Sequence, residues 1–249
     1  MAKYKSLFDV QGTLGEVTFY KSEDGQYVRR KGGVSKNRIL NDPNYVRTRE
    51  NLSEFGAAAS SGKIIRRALN SLMIDAKDSR VTSRLTKVLN QVKNEDLISA
   101  RGQRNVTEGL ATPQGRALLK GFNFNRRSSL EAVLLKPYAL DTATGEVTIT
   151  DLIPNQEMSI PVGATHVTLS AAFLNLDLGT DVQDLQLSNV VNLPINGTAT
   201  SVTLTPAGPA SGSGQSYYLV KVAFFQDVNG IQYPLKNGGH NAMQLIELL

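Results

Sequence analysis

From Asp42 to Gly121 the apolar residues of this chain keep a helical period, and beyond Gly121 a strand period. Val81, Leu85, Val88, Leu89 and Val92 fall at i, i+4, i+7, i+8 and i+11, one stripe of an amphipathic helix. After Gly121, Phe122 and Phe124 alternate with Asn123 and Asn125. Short apolar runs then recur at 130–135, 146–150, 166–176, 184–191, 201–205, 217–225, 231–235 and 243–249, with Gly, Pro, Asn and Asp between them. Short strands at regular spacing predict an antiparallel β-sandwich, Ig-like or jelly-roll-like. The expected fold class is therefore α+β. An N-terminal β-hairpin and a small helical region occupy 1–120, and the sandwich occupies 121–249. At 249 residues and 41% hydrophobic, the chain is long enough to bury such a core.

The hairpin is read from Leu14, Val17 and Phe19, then Tyr27 and Val28, on either side of Ser22-Glu23-Asp24-Gly25. Asp-Gly between alternating segments is a strong turn signal. A lone hairpin is marginal in water, so this one must pack on something. Asp42-Pro43 marks a helix start, an N-cap carboxylate followed by proline at the first helical position. That helix is expected over about 43–60, with Tyr45, Leu52, Phe55 and Ala59 inward and Gly62 closing it. A second helix carries Ile64 to Met73, and a fourth starts at Thr112-Pro113. The polar stretch 99–109 reads as a loop or extended arm, and Asp227-Val228-Asn229-Gly230 as a hairpin turn.

Charge divides the chain as sharply as period does. Up to Lys136 there are 25 Lys+Arg against 13 Asp+Glu, a balance of +12. After it, two lysines face nine acids, a balance of −7, and the two sum to the net +5. The basic part can attract nucleic acid by counterion release, or the acidic part of a neighbouring copy. The candidate partner- or nucleic-acid-binding residues are Arg29, Arg30, Lys31, Lys63, Arg66, Arg67, Arg80, Arg84, Lys87, Arg101 and Arg104. The guanidinium fork suits phosphate and carboxylate alike, so spacing does not choose between the two partners. Asp177, Asp181 and Asp184 are the acids set against them, a loop group that also reads as plain solvated acids.

Catalytic machinery is scarce. Cysteine is absent, which removes disulfides, thiolate nucleophiles and cysteine metal sites. The two histidines, His166 and His240, lie in no Gly-x-Ser-x-Gly elbow. Gly56 to Lys63 has five residues between its glycines where a phosphate loop has four, and lacks the following Ser/Thr, so it reads as a helix end. No catalytic residue, cofactor or metal is expected. No run of 18 apolar residues suggests a membrane span. A carbohydrate-binding sandwich is disfavoured because tryptophan, the commonest sugar-stacking residue, is absent.

Over about 60 residues the chain resembles an uncharacterised protein family of Bacteroidetes genomes and their prophages. The motifs that carry the likeness are Gly12-Thr13-Leu14-Gly15-Glu16-Val17-Thr18-Phe19-Tyr20, Val28-Arg29-Arg30-Lys31-Gly32-Gly33 and Val46-Arg47-Thr48-Arg49-Glu50-Asn51. The resemblance implies a structural or virion-associated role and brings no catalytic residues. The expected function is a non-enzymatic structural protein that self-assembles or decorates a larger particle. Its expected partners are other copies or particle proteins, with no membrane, in the cytoplasm or in a virion. The alternative is a cytoplasmic nucleic-acid-binding protein that uses the basic helices.

Overall fold

The computed structural model describes residues 2–5, 9–30, 32–235 and 239–249. It mixes helices with antiparallel sheets and divides into two compact units, 1–49 and 50–249.

The first unit is a four-stranded antiparallel sheet built on the expected hairpin. Strands β1 (Ala2–Lys3), β2 (Gly12–Leu14), β3 (Val17–Ser22) and β4 (Gly25–Arg30) lie in the order β1-β4-β3-β2. Ser22 pairs with Gly25 across the two-residue turn Glu23-Asp24. A short helix, α1 (Lys36–Asn41), follows with Ser35 as its N-cap. Asp42 then caps a single 3-10 turn, Pro43–Tyr45, by accepting from the Asn44 N–H at 2.9 Å.

Helix α2 (Val46–Ala68) runs on without a break through Gly56 and Gly62. The expectation that Gly62 ends it is corrected: Gly62 is buried mid-helix, and a Cβ there would lie 3.2 Å from Leu89 Cδ1. Glycine serves close helix approach here rather than capping. The inward stripe is corrected too. Glu54, Ala58, Gly62, Ile65 and Ala68 are buried, while Leu52 and Phe55 are exposed. Small residues at the crossing let α4 (Val81–Val92) come close, which turns the bulky side chains outward. Between them lies α3 (Asn70–Met73). On α4 the expected stripe is largely inward: Val81, Leu85, Leu89 and Val92 are buried and Val88 is half-buried. A 3-10 turn, Lys93–Glu95, ends it. Part of the stretch 99–109 is helical: α5 (Val106–Ala111) starts at the Asn105 N-cap, and α6 (Pro113–Leu119) starts at Thr112 as expected.

The segment 130–135 is not a strand. It forms one helical turn, α7 (Leu130–Val133), with a single β-bridge from Leu134 to Met158. A small sheet joins β5 (Ala139–Leu140) and β6 (Val147–Leu152) to β10 (Thr200–Leu204), and α8 (Pro154–Glu157) follows β6. The large sheet centres on β7 (His166–Asp177) and β11 (Gln215–Val228), paired antiparallel from His166↔Phe225 to Leu176↔Gln215. Strands β8 (Val182–Leu187) and β9 (Val191–Pro194) share the outer edge of β7. Strands β12 (Ile231–Pro234) and β13 (Ala242–Leu248) share that of β11. The sheet curls into a half-barrel.

The second unit thus has three layers and two cores. On β7, Val167, Leu169, Ala171 and Phe173 face the small sheet, with Val147, Ile149, Val202 and Leu204 opposite. The intervening Ala172, Leu174 and Leu176 pack under the helices with Ile65, Leu85 and Leu89. A strand buried on both faces reads as a continuous apolar run, which is why Ala171 to Leu174 lacks alternation.

Candidate partner interface

A buried carboxylate organises one end of the helical layer. Glu54 of α2 is 1% exposed and accepts from Arg104 Nε at 2.9 Å, from the Gly102 N–H at 2.8 Å and from Lys93 Nζ. Burial alone would push its carboxyl up; the bonds from Arg104, Lys93 and Gly102 outweigh that and hold it down at about 2. Asp96 repeats the device. Its carboxylate is buried and accepts from the Ile98, Ser99 and Asn105 N–H groups at 3.0, 2.9 and 3.0 Å. Here too burial pushes up, and these bonds together bring the carboxyl to about 2. The loop between the two acids is therefore braced at both ends. At its tip Leu97 and Ile98 stand in solvent, 85% and 81% exposed.

The expected basic residues are employed in different ways. Arg84 is an interior strut: its Nη1 donates to the Asn123 carbonyl at 2.8 Å, and its Nη2 to the Phe124 carbonyl at 2.9 Å and to Asp78 at 2.6 Å. Its guanidinium lies 5.1 Å from the Phe122 ring centroid. Arg104 is tied to Glu54, and Arg66 links α2 to α4 through Thr82 Oγ1 at 2.8 Å. Arg101 pairs with Glu50 at 3.2 Å and Arg67 with Asp181. Arg80 stands at the N-cap position of α4, its N–H bonded to Asp78. In the first unit Arg30 pairs with Glu16 at 2.7 Å and Arg29 lies over Tyr20. Lys31 lies outside the described residues. Lys63 and Lys87 are exposed and make no ion pair among the described residues.

Opposite charges from the two sequence halves meet within one chain. Arg67–Asp181, Lys221–Asp75 and Lys120–Glu247 are such pairs. Asp177 holds its own turn through Gly179 and Thr180, and Asp184 holds Ser211 and Gln186.

Between α2 and α4 runs a groove of about 550 Å³, lined by Phe55, Ala59, Ser83, Thr86, Lys87 and Asn90. The first unit presents a second open surface. Register places Ala2, Leu14, Val17, Phe19 and Val28 on one side of its sheet together with Lys21, Gln26 and Arg30, and Tyr4 meets Phe19 edge-on at 5.3 Å. The other side carries Tyr20 stacked on Tyr27, with Lys3, Thr18 and Arg29. Sequence reading missed the Leu97–Ile98 tip, the groove and both buried acids. The adjacent pair of aliphatics inside a polar stretch was the available signal for the tip.

Comparison with protein-family models, with curated proteins and with solved structures finds no match for the chain. Among the described residues no helix is long and apolar enough to cross a membrane, and no three His, Asp or Glu side chains are grouped to hold a metal ion.

Proposed function

We propose that the chain is a non-enzymatic structural protein that assembles with other copies, or with proteins of a larger particle, through its N-terminal unit. One observation carries this reading: among the described residues of 1–49 none is buried, although they form a four-stranded sheet with an apolar side. An apolar sheet face gains stability when it is buried against another element. Ala2, Tyr4, Leu14, Val17, Phe19 and Val28 supply the face that a partner covers. In this reading the two packed sheets of the second unit act as a β-sandwich of Ig-like or jelly-roll-like kind, the rigid body that the N-terminal unit attaches to its neighbours. The protein then works in the cytoplasm or within a virion.

The test is Phe19→Asp in the full chain, followed by light scattering and thermal unfolding. Assembly falls to small species while the main unfolding transition stays in place. Unchanged assembly overturns the reading. A second reading, nucleic-acid binding, rests on the opposite side of the same sheet. Stacked Tyr20 and Tyr27 with Arg29 above them make a base-stacking platform of the type that single strands use. It requires salt-dependent binding of single-stranded DNA that Tyr20→Ala abolishes.

A further inference from the structure

We infer that a second copy of this chain docks on the groove between α2 and α4, inserting its Leu97–Ile98 tip there, with the contact repeated reciprocally about a two-fold axis. The inference uses no residue of the N-terminal unit and goes beyond the assembly proposed above.

The tip is built to be inserted rather than left loose. Asp96 accepts from the backbone N–H groups of both Ile98 and Ser99, and Glu54 fixes Gly102 on the far side. The backbone that carries the two neighbouring aliphatic side chains is thereby fixed. Pre-ordering of this kind removes the cost of immobilising a loop on binding. Large aliphatic residues exposed by more than four-fifths have most of their apolar surface left to remove from water on docking.

The groove selects its occupant by charge. Phe55 and Ala59 are the apolar part of its lining and Ser83, Thr86, Lys87 and Asn90 the polar part, with Lys87 carrying the charge. Lys63 lies further along α2, and neither lysine has a carboxylate partner among the described residues. Helix α4 contains no acidic residue, and the acid that α2 directs into the protein, Glu54, is already satisfied. The groove therefore fits an aliphatic segment that carries a carboxylate. This chain contains one: Glu95 sits two residues before Leu97 and makes no ion pair among the described residues.

Placement favours a second copy over an unrelated partner. Lys87, Gln91 and Glu95 follow at i, i+4 and i+8 along α4 and the turn that continues it. Lys87 and Glu95 are about 12 Å apart along that axis. A two-fold axis passing near Gln91 sets Lys87 of one copy against Glu95 of the other, and the reverse. Both tips then meet both grooves in one closed, isologous contact.

Because the chain has no cysteine, single cysteines report this contact cleanly. Leu97→Cys and Thr86→Cys proteins, mixed and oxidised, should give a disulfide-linked heterodimer, and a Phe19→Asp background should leave its yield unchanged. In sedimentation velocity on the full chain, Leu97→Asp should raise the dimer dissociation constant by at least about tenfold. Lys87→Glu and Glu95→Lys should each weaken the dimer, and the double variant should recover it, since the contact is pairwise. The tip is exposed, so circular dichroism of Leu97→Asp should match wild type. A protein that stays monomeric at all concentrations and gives no cross-link overturns the inference. So does a dimer that Leu97→Asp leaves intact. Loss of larger assemblies in Phe19→Asp with the cross-link retained separates the two surfaces.

Discussion

The two units of this molecule use their apolar residues in opposite ways. Residues 50–249 hold two hydrophobic cores on either side of one sheet, and two of their acids, Glu54 and Asp96, are buried and bonded. Residues 1–49 have comparable raw material, including Phe19, Val17, Val28 and four tyrosines, yet bury none of the described residues. The difference is one of layers rather than composition. A sheet buries a face only where another layer stacks on it, however apolar its strands are. The interior of the second unit is supplied by its own chain, whereas none of the described residues of the first unit is buried.

The sharpest way to break this contrast is to attack the buried acid. Glu54→Gln leaves Lys93 and Arg104 without their anion, and removing one partner of a buried pair costs about 3–5 kcal/mol. Urea unfolding should show that loss, while Glu16→Gln, in an exposed pair of the first unit, should stay within about 0.5 kcal/mol. Acid titration should reproduce the effect without mutation. Glu54 and Asp96 are both depressed to about 2 in the folded chain, from ordinary values of 4.5 and 3.8. A depressed carboxyl contributes stability that is complete above its ordinary value and is lost as pH falls toward its folded value. Far-UV circular dichroism should therefore record weakening between about pH 4.5 and 2 in wild type, and a shallower decline in Glu54→Gln.

Packing gives the next largest effect. Leu85 is 1% exposed between α2 and the sheet, so Leu85→Ala should cost about 2–5 kcal/mol. Phe19→Ala should move the same transition less, because Phe19 is only half-buried. Equal losses from the two would erase the distinction between the units.

The elements with local signals were legible in the sequence. The α4 stripe, the Asp42 cap, the Thr112-Pro113 start and both hairpin turns announced themselves through spacing or turn chemistry. Legibility failed where tertiary contact decides. Ala58 and Gly62 point inward because α4 crosses there, and no helix periodicity within α2 says so. The segment 130–135 carries strand-like residues but turns helical, since Leu130 and Val133 are both drawn into the core between the sheets. Of the site, the basic residues were visible and their employment was not. Arg84 and Arg104 look like Lys87 in a sequence, yet they hold interior carbonyls and a buried carboxylate while Lys87 stands in a groove. Both acids that brace the Leu97–Ile98 tip were hidden for the same reason, because burial is a property of the fold.

The smallest effect concerns the charge asymmetry itself. Arg67 and Asp181 come from the basic and acidic parts of the sequence and pair on the surface of the second unit, with side chains 58% and 38% exposed. Exposed pairs contribute about 0.2–1 kcal/mol, because water screens them and two long side chains must be held still. A double-mutant cycle with Arg67→Ala and Asp181→Ala should return a coupling of that size in urea unfolding, and high salt should reduce it. The cycle also weighs charge against apolar surface as the basis of assembly. Arg67 already has its carboxylate, so Arg67→Ala should leave assembly as it is while Phe19→Asp abolishes it. If Arg67→Ala instead dissolves the assembly without changing stability, the pair opens between copies, and charge rather than the uncovered sheet joins the subunits.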